Sequence, residues 1–369
     1  MKFRDKLKAP LAALFAVTLS LLASSAVILL AGRNPLTALV SIFQGSGWLP
    51  KSNYPVGSGQ LTDILYTLDA FTPMLFASLS VLTAFHAGLF NIGVSGQMLL
   101  AGFVATITVG YGGGMRPAAS FPLILLTGAA AGALSGGLIG LLKCGFQINE
   151  VVSSIMLNYA FQSIVGFFIN TRYLDPVSRQ SVSVPPNARL TPTGIRAGGY
   201  SFRAPWCLVL ALACAALISF FFAKTVRGFE IKAVGKNSAA ARYAGIGVGG
   251  NTVLAMVLSG ALAGLAGVTY YLGYYDSIPP GTLSPVGFDA IAAAFLGGMN
   301  PFGAVVSGLL ITSLGRGGTY MSSAAGVRAE LSSLVTGLIL LFSACSGYIR
   351  RQSGRYRSGR AAAERRSKG

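Results

Sequence analysis

The chain has 369 residues, of which 53% are hydrophobic and only 10% charged, and its mean hydropathy is +0.64. Soluble domains carry about 25% charged residues, so too little polar surface is present to enclose a soluble fold, and the composition predicts an all-α integral membrane protein. Net charge is +18, from 28 Lys+Arg against 10 Asp+Glu; these cations sit between apolar runs, which reads as membrane topology and attraction to lipid headgroups, with no nucleic acid implied.

Residues 1–9 carry Lys2, Arg4, Lys6 and Lys8 and form a cytoplasmic N-terminus. The apolar stretch from Leu11 to Ala31 exceeds the core of a signal peptide, about 7–15 residues, so 10–31 is expected to be an uncleaved first span. Segment 33–69 is rich in Gly, Ser, Pro and Asn, with a short surface helix expected near 60–68. With about 20 apolar residues per span, further spans are expected at 70–88, 93–110, 120–142, 150–170, 205–223, 251–273, 286–299, 301–318 and 330–348. That makes about ten transmembrane helices in one multi-span domain, 10–348. The pieces 93–110 and 286–299 are short and are expected to be broken or re-entrant helices. The tail, 349–369, is basic and without apolar periodicity, and is expected to be disordered beside anionic lipid.

Ten spans put both termini on one side. Eighteen of the 28 Lys+Arg fall in the N-terminus, at Lys143, in loop 224–250 and in the tail, which makes that side cytoplasmic by the positive-inside rule. One loop resists. Residues 171–204 carry Arg172, Arg179, Arg189, Arg196 and Arg203, yet this topology places them outside. Pro176, Pro185, Pro186 and Pro192 suggest a structured cap there.

Gly128, Gly132, Gly136 and Gly140 recur every fourth residue, and Gly260 and Gly264 repeat the spacing later. Such glycines share one helix face and allow close helix packing, which shapes a bundle but selects no substrate. Glu150, Ser154, Asn158 and Gln162 form a polar stripe at the same spacing. Polar groups in a span either bond between helices or line a water-filled path, and the spacing leaves both open. Asp289, after Pro285 and Gly287, suits a helix start. The four cysteines (Cys144, Cys207, Cys214, Cys345) lack metal-ligand spacing, and the single histidine, His86, argues against metal or triad chemistry. No metal site and no catalytic residue is expected, so the chain is not expected to be an enzyme.

Loop 224–250 is the polar exception. Lys224, Arg227, Lys232, Lys236 and Arg242 place it in the cytoplasm. Ala239–Gly245 reads as a short helix stopped by glycine, with Ser238 as N-cap. A short helix presented by a bundle of spans is a docking element for a soluble partner. Gly245, Gly247 and Gly250 fit GxGxxG, but no strand precedes them, so no dinucleotide site is expected; Gly235-Lys236 fails the phosphate-loop spacing. If ATP drives this chain, a partner supplies the ATPase.

Four segments in order carry a resemblance: Phe90–Gln97 (FNIGVSGQ), Asn149–Tyr159 (NEVVSSIMLNY), Ala233–Ile246 (AVGKNSAAARYAGI) and Gly287–Pro301 (GFDAIAAAFLGGMNP). Together they resemble the permease subunits of bacterial ABC importers of the branched-chain amino acid and simple-sugar permease superfamily, nearest the nucleoside or simple-sugar uptake branch. The resemblance runs from about residue 60 to 345. It implies that Ala240, Ala241 and Gly245 belong to an ATPase-coupling loop, to which Gly235, Asn237 and Arg242 of the same motif are added; in such a permease the polar stripe makes Glu150, Ser154, Asn158 and Gln162 translocation-path candidates, together with Asn91 and Gln97 of the first motif. The usual family loop carries an acid where this chain has Ala239, and relatives often carry Glu where it has Ser95.

The implied function is solute import by alternating access, for nucleosides or a simple sugar. The implied partners are an ABC ATPase holding ATP and Mg, a second permease subunit (homologue or self) and an extracytoplasmic solute-binding protein, in a bacterial inner membrane. An ion-coupled secondary transporter is the main rival; it needs acids deep in spans, whereas Asp63, Asp69, Glu150, Asp276 and Asp289 fall near expected span ends. A passive solute channel is the third reading.

Overall fold

The computed structural model describes residues 18–19, 22–112, 116–192, 194–197, 200–326 and positions 334, 337, 338 and 341. The expected N-terminus 1–9, most of the last expected span (330–348) and the tail 349–369 lie outside the described residues. The chain divides into two compact units, one of 52–312 and one of the flanking segments up to 51 and from 313.

In the flanking unit, α1 (Leu22–Leu30) and α2 (Pro35–Gly45) meet at a bend of 118°. The bend follows from the sequence: Gly32 takes a positive φ, Pro35 opens α2, and Asn34 accepts the Leu36 N–H at 2.9 Å. Ile28, Ala38, Ile42 and Met321 form its small core. Segment 33–69 therefore holds a helix, α2, that its Gly, Ser, Pro and Asn content did not suggest.

In the larger unit, α3 (Gln60–His86) is a continuous helix of 27 residues that carries Pro73 inside it. The separate surface helix expected at 60–68 is instead the first turns of α3. There follow α4 (Val94–Ala105), α5 (Pro117–Phe146), α6 (Glu150–Phe168), α7 (Trp206–Lys224), α8 (Val226–Lys236), α9 (Ser238–Tyr243), α10 (Val248–Thr269) and α11 (Val286–Leu296). The last described helix, α12 (Pro301–Ala324), begins in this unit, belongs to the flanking unit from 313, and turns polar after Leu314 through Arg316-Gly317-Gly318-Thr319. Five described helices are long and apolar enough to cross a bilayer, six if the bent α1–α2 pair counts as one span. α4 with its following turn and α11 are shorter apolar helices, as their lengths in the sequence suggest.

α10 packs against α5, α3 and α4 and is the hub of the bundle. Its closest neighbour is α5, because the two glycine stripes face each other. A Cβ on Gly132 would lie 2.7 Å from the Gly264 Cα, and one on Gly136 would lie 2.8 Å from the Gly260 Cα. Gly128 and Gly140 meet Val268 and Val253 on the same face, so all four predicted packing glycines are used.

Three helices end in a wide π turn: α4 in Thr106–Gly110, α6 in Ile169–Tyr173 and α10 in Tyr270–Tyr274. All three lie at the end of the bundle where α3 begins. The connection 171–204 closes that end, with an antiparallel pair of three-residue strands, β1 (Ile195–Ala197) and β2 (Tyr200–Phe202), in an otherwise helical chain.

Candidate functional site

At the opposite end, α8 and α9 form an elbow. α8 starts from Thr225, whose hydroxyl accepts the Gly228 N–H at 3.1 Å. It ends at Asn237, an extended residue whose side chain accepts the Ala240 N–H at 3.0 Å. Asn237, not Ser238, is thus the N-cap of α9: its own backbone is extended, whereas Ser238 has already entered the helix. α9 stops as the sequence suggests. Gly245 has φ 78°, and the Ile246 N–H reaches back to the Ala241 carbonyl at 3.0 Å, a Schellman closure.

The elbow is locked to the bundle at Gly235. A Cβ there would collide with the His86 carbonyl and lie 2.7 Å from the Gly88 nitrogen, so only glycine lets α8 rest on the end of α3. His86 supports the joint by stacking on Phe222, with ring centroids 4.3 Å apart.

The six predicted coupling residues do not all face outward. Ala240, Arg242 and Gly245 are exposed, as is Asn237, whereas Ala241 is buried and turned toward the bundle. Tyr243 is 96% exposed at the tip, the most prominent apolar ring on the elbow. No sequence signal marked it, because an aromatic ring in a membrane protein is more often buried or at the lipid interface. A cleft of about 650 Å³ opens beside the elbow between Lys143, Asn237, Arg242 and Thr252.

The path candidates separate into a buried group and two outliers. Asn91, Gln97, Ser154 and Asn158 are all buried. They gather where α4 starts inside the bundle. Asn158 Oδ1 accepts the Gly96 N–H at 2.9 Å and its Nδ2 donates to the Ile92 carbonyl at 3.0 Å. Asn91 Nδ2 donates to Gln97 Oε1 at 3.1 Å and to Ser259 Oγ at 2.9 Å, while its Oδ1 accepts the Gly93 N–H. A helix that begins within the membrane exposes unpaired amide N–H groups, and this cluster supplies their acceptors. Ser95 donates to the Ser284 carbonyl at 2.9 Å, tying α4 to the approach to α11.

Glu150 stands apart. It pairs with Lys143 near the elbow, and Asn149 caps α6 through the Val151 N–H at 2.8 Å. Gln162 reaches the Gly281 carbonyl on the other side of the cluster. The regular stripe in sequence therefore spans three environments along α6.

Asp69 was expected near a span end. It lies ten residues into α3, 3% exposed, bonded by Thr191 at 2.8 Å and by Arg203 at 3.3 Å. Arg189 pairs with Asp276 at 2.7 Å. Two arginines of the anomalous loop 171–204 are thereby neutralised by carboxylates of the bundle.

Residues 64–344, which run from the second turn of α3 past the end of α12, match the family described as branched-chain amino acid transport system / permease component. The guanosine ABC transporter permease protein NupP of Bacillus subtilis is 34% identical over 338 residues, covering 91% of this chain and 93% of that protein. The nucleoside ABC transporter permease protein NupB of Lactococcus lactis is 31% identical, covering 92% of each. The glucose ABC transporter permease protein TsgB13 of Haloferax volcanii is 30% identical, covering 79% of this chain and 77% of that protein. The helical bundle, the capped elbow and these matches across nearly the whole length agree: the chain belongs to the branched-chain amino acid transport system / permease component family of ABC transporters.

Proposed function

We propose that this chain imports nucleosides as the membrane-spanning permease subunit of an ATP-driven importer. The observation that carries the reading is the α8–α9 elbow: a short capped helix with an exposed tip, fixed to the end of α3 by a glycine contact that no side chain could replace. A partner ATPase, which holds ATP and Mg, engages the exposed face made by Asn237, Ala240, Arg242 and Tyr243. Movement of that face passes through Gly235 into α3 and reorients the bundle by alternating access. Ala241 and Gly245 act by shaping the elbow.

The remaining parts of the assembly are a second permease subunit, an extracytoplasmic binding protein and surrounding anionic lipid. The elbow and both termini face the cytoplasm, by the distribution of Lys and Arg, and about ten spans cross the membrane. The seam between α4 and α6 is the proposed path: sliding α6 would free the Asn158 amide, together with the Gly96 N–H and the Ile92 carbonyl, for a polar solute beside Asn91 and Gln97, with Ser154 and Gln162 on either side of Asn158 along α6 and Glu150 at the cytoplasmic mouth. Nucleosides are preferred to a simple sugar because the two relatives with the higher identity and coverage are a guanosine and a nucleoside permease.

The test is affinity purification from native membranes in mild detergent, followed by radiolabelled guanosine uptake in the reconstituted complex. An ABC ATPase should co-purify and should be lost on Ala240→Glu or Tyr243→Asp. Recovery of this chain alone across several detergents would overturn the reading, as would guanosine uptake driven by a proton gradient without ATP.

A further inference from the structure

The end of the bundle away from the elbow holds a second, smaller pocket, of about 230 Å³, formed by Tyr66, Arg189, Arg203, Tyr274, Tyr275 and Asp276 with Gly273 behind them. We infer that this pocket is an outer receiving site for an uncharged nucleoside, an inference that rests on the nucleoside reading above and gives that solute a first foothold on this chain.

Position comes first. α3 runs from Tyr66 at the pocket to His86 at the elbow, about 30 Å at 1.5 Å per residue, the thickness of a bilayer core. The pocket therefore opens on the membrane face opposite the elbow. Its wall is the wide turn that ends α10, Tyr270–Tyr274, and single π turns of this kind gather at functional sites.

The wall chemistry suits a flat ring with a polar edge. Tyr274 and Tyr275 bring aromatic rings to the pocket, and Tyr66 brings a third with the Arg203 guanidinium over one of its faces; nucleobases stack on such rings and on guanidinium planes. Tyr275 is 48% exposed, and its ring packs at right angles on Tyr274 with centroids 4.8 Å apart. The Arg203 guanidinium lies 4.5 Å from the Tyr66 ring centre and donates to the Tyr274 carbonyl at 2.8 Å. Among the described residues its buried Nε meets no acceptor, which leaves a donor for a ligand. At the rim, Asp276 is 43% exposed and offers a carboxylate to hydroxyl donors such as a ribose diol.

Charge selects among such solutes. Arg203 is offset by Asp69 at 3.3 Å and Arg189 by Asp276 at 2.7 Å. Each cation facing the pocket has its own carboxylate, so the site has no net charge with which to hold a phosphate. A nucleoside fits this balance and a nucleotide does not; a hexose offers the tyrosines only a C–H face, with no planar π system to stack on them.

The experiment uses the reconstituted permease–ATPase complex. Photolabelling with 8-azidoguanosine is followed by peptide mapping, on the wild-type chain, Tyr275→Ala, Tyr275→Phe and Asp276→Asn. Label should appear on the peptide containing Tyr274 and Tyr275, be competed by guanosine, and resist GMP and glucose. Half-maximal labelling should need at least about tenfold more probe for Tyr275→Ala and be restored by Tyr275→Phe, which also shows that the fold is intact. Label elsewhere, equal competition by GMP or glucose, or unchanged labelling in Tyr275→Ala would each overturn the inference. Guanosine uptake by the wild-type complex is measured alongside. Uptake without pocket labelling sinks this site alone, whereas absence of any nucleoside uptake sinks the nucleoside reading and the site with it.

Discussion

Gly235 is the residue on which the elbow depends. Its missing side chain is the space through which α8 meets the His86 carbonyl. Gly235→Val should cost about 1–3 kcal/mol from overpacking and, more tellingly, uncouple transport: the ATPase should still bind through the exposed tip, but uptake per ATP hydrolysed should fall. Equal uptake-to-hydrolysis ratios in mutant and wild type would remove the proposed joint. At the other end, Asp69 and Arg203 form a pair whose acid is buried and whose base is partly exposed. Asp69→Ala strands a guanidinium and should destabilise by on the order of 3 kcal/mol, the lower part of the range for broken buried pairs because Arg203 keeps some water. A thermal-unfolding series in detergent reads this directly.

Among elements, the α5–α10 contact is the most sequence-dependent. Gly132→Leu would drive a side chain into the backbone of α10 and should cost about 3 kcal/mol or more, or abolish expression. Gly145→Ala, in the same helix with nothing within 4 Å, should instead stabilise by about 0.5–1 kcal/mol. Similar effects of the two substitutions would show that helix propensity, not close approach, explains the glycine stripe. The cap loop contains its own pH-sensitive turn. Asp175 accepts from the Ser178 hydroxyl at 2.7 Å and from the Val177 and Ser178 amides, which together hold its pKa below the usual carboxylate value. A lowered folded-state pKa contributes stability that is complete above the ordinary carboxylate pKa and is lost as pH falls through the lowered one. Amide exchange at Val177 and Ser178 should therefore gain protection less well in acid than at neutral pH, and Ser178→Ala should flatten that dependence.

For the whole molecule, the distribution of charge decides orientation and the pairing of charge decides whether that orientation is tolerable. The five arginines of 171–204 conflict with an outer location when counted along the chain. Two of them are matched to Asp69 and Asp276, which removes much of the conflict. Arg189→Gln with Arg203→Gln should leave two unpaired acids at the far end and reduce insertion of correctly folded protein; accessibility of a cysteine placed in 171–204 to an impermeant thiol reagent reports the side on which the loop lies. Labelling only in inverted vesicles would place it inside and reverse the proposed topology.

The apolar runs, the glycine stripes and the polar break at 224–250 were legible in the sequence because each is local: a span is a length of apolar chain, a packing face is a spacing of four, and the elbow is a density of Lys and Arg between apolar runs. Order and spacing also carried the family, since its four motifs are contiguous. What remained hidden depends on contacts between residues far apart. The regular stripe on α6 gave no sign that Asn158 would cap α4 while Glu150 paired with Lys143, because the start of α4 within the bundle is set by how α3, α6 and α10 pack. Asp69 resembled an acid at a span end until α3 proved to begin at Gln60, and its partner Arg203 lies 134 residues away. Local chemistry thus fixed the class of protein, whereas tertiary packing decided which polar groups are satisfied and which tyrosines and arginines meet in a pocket.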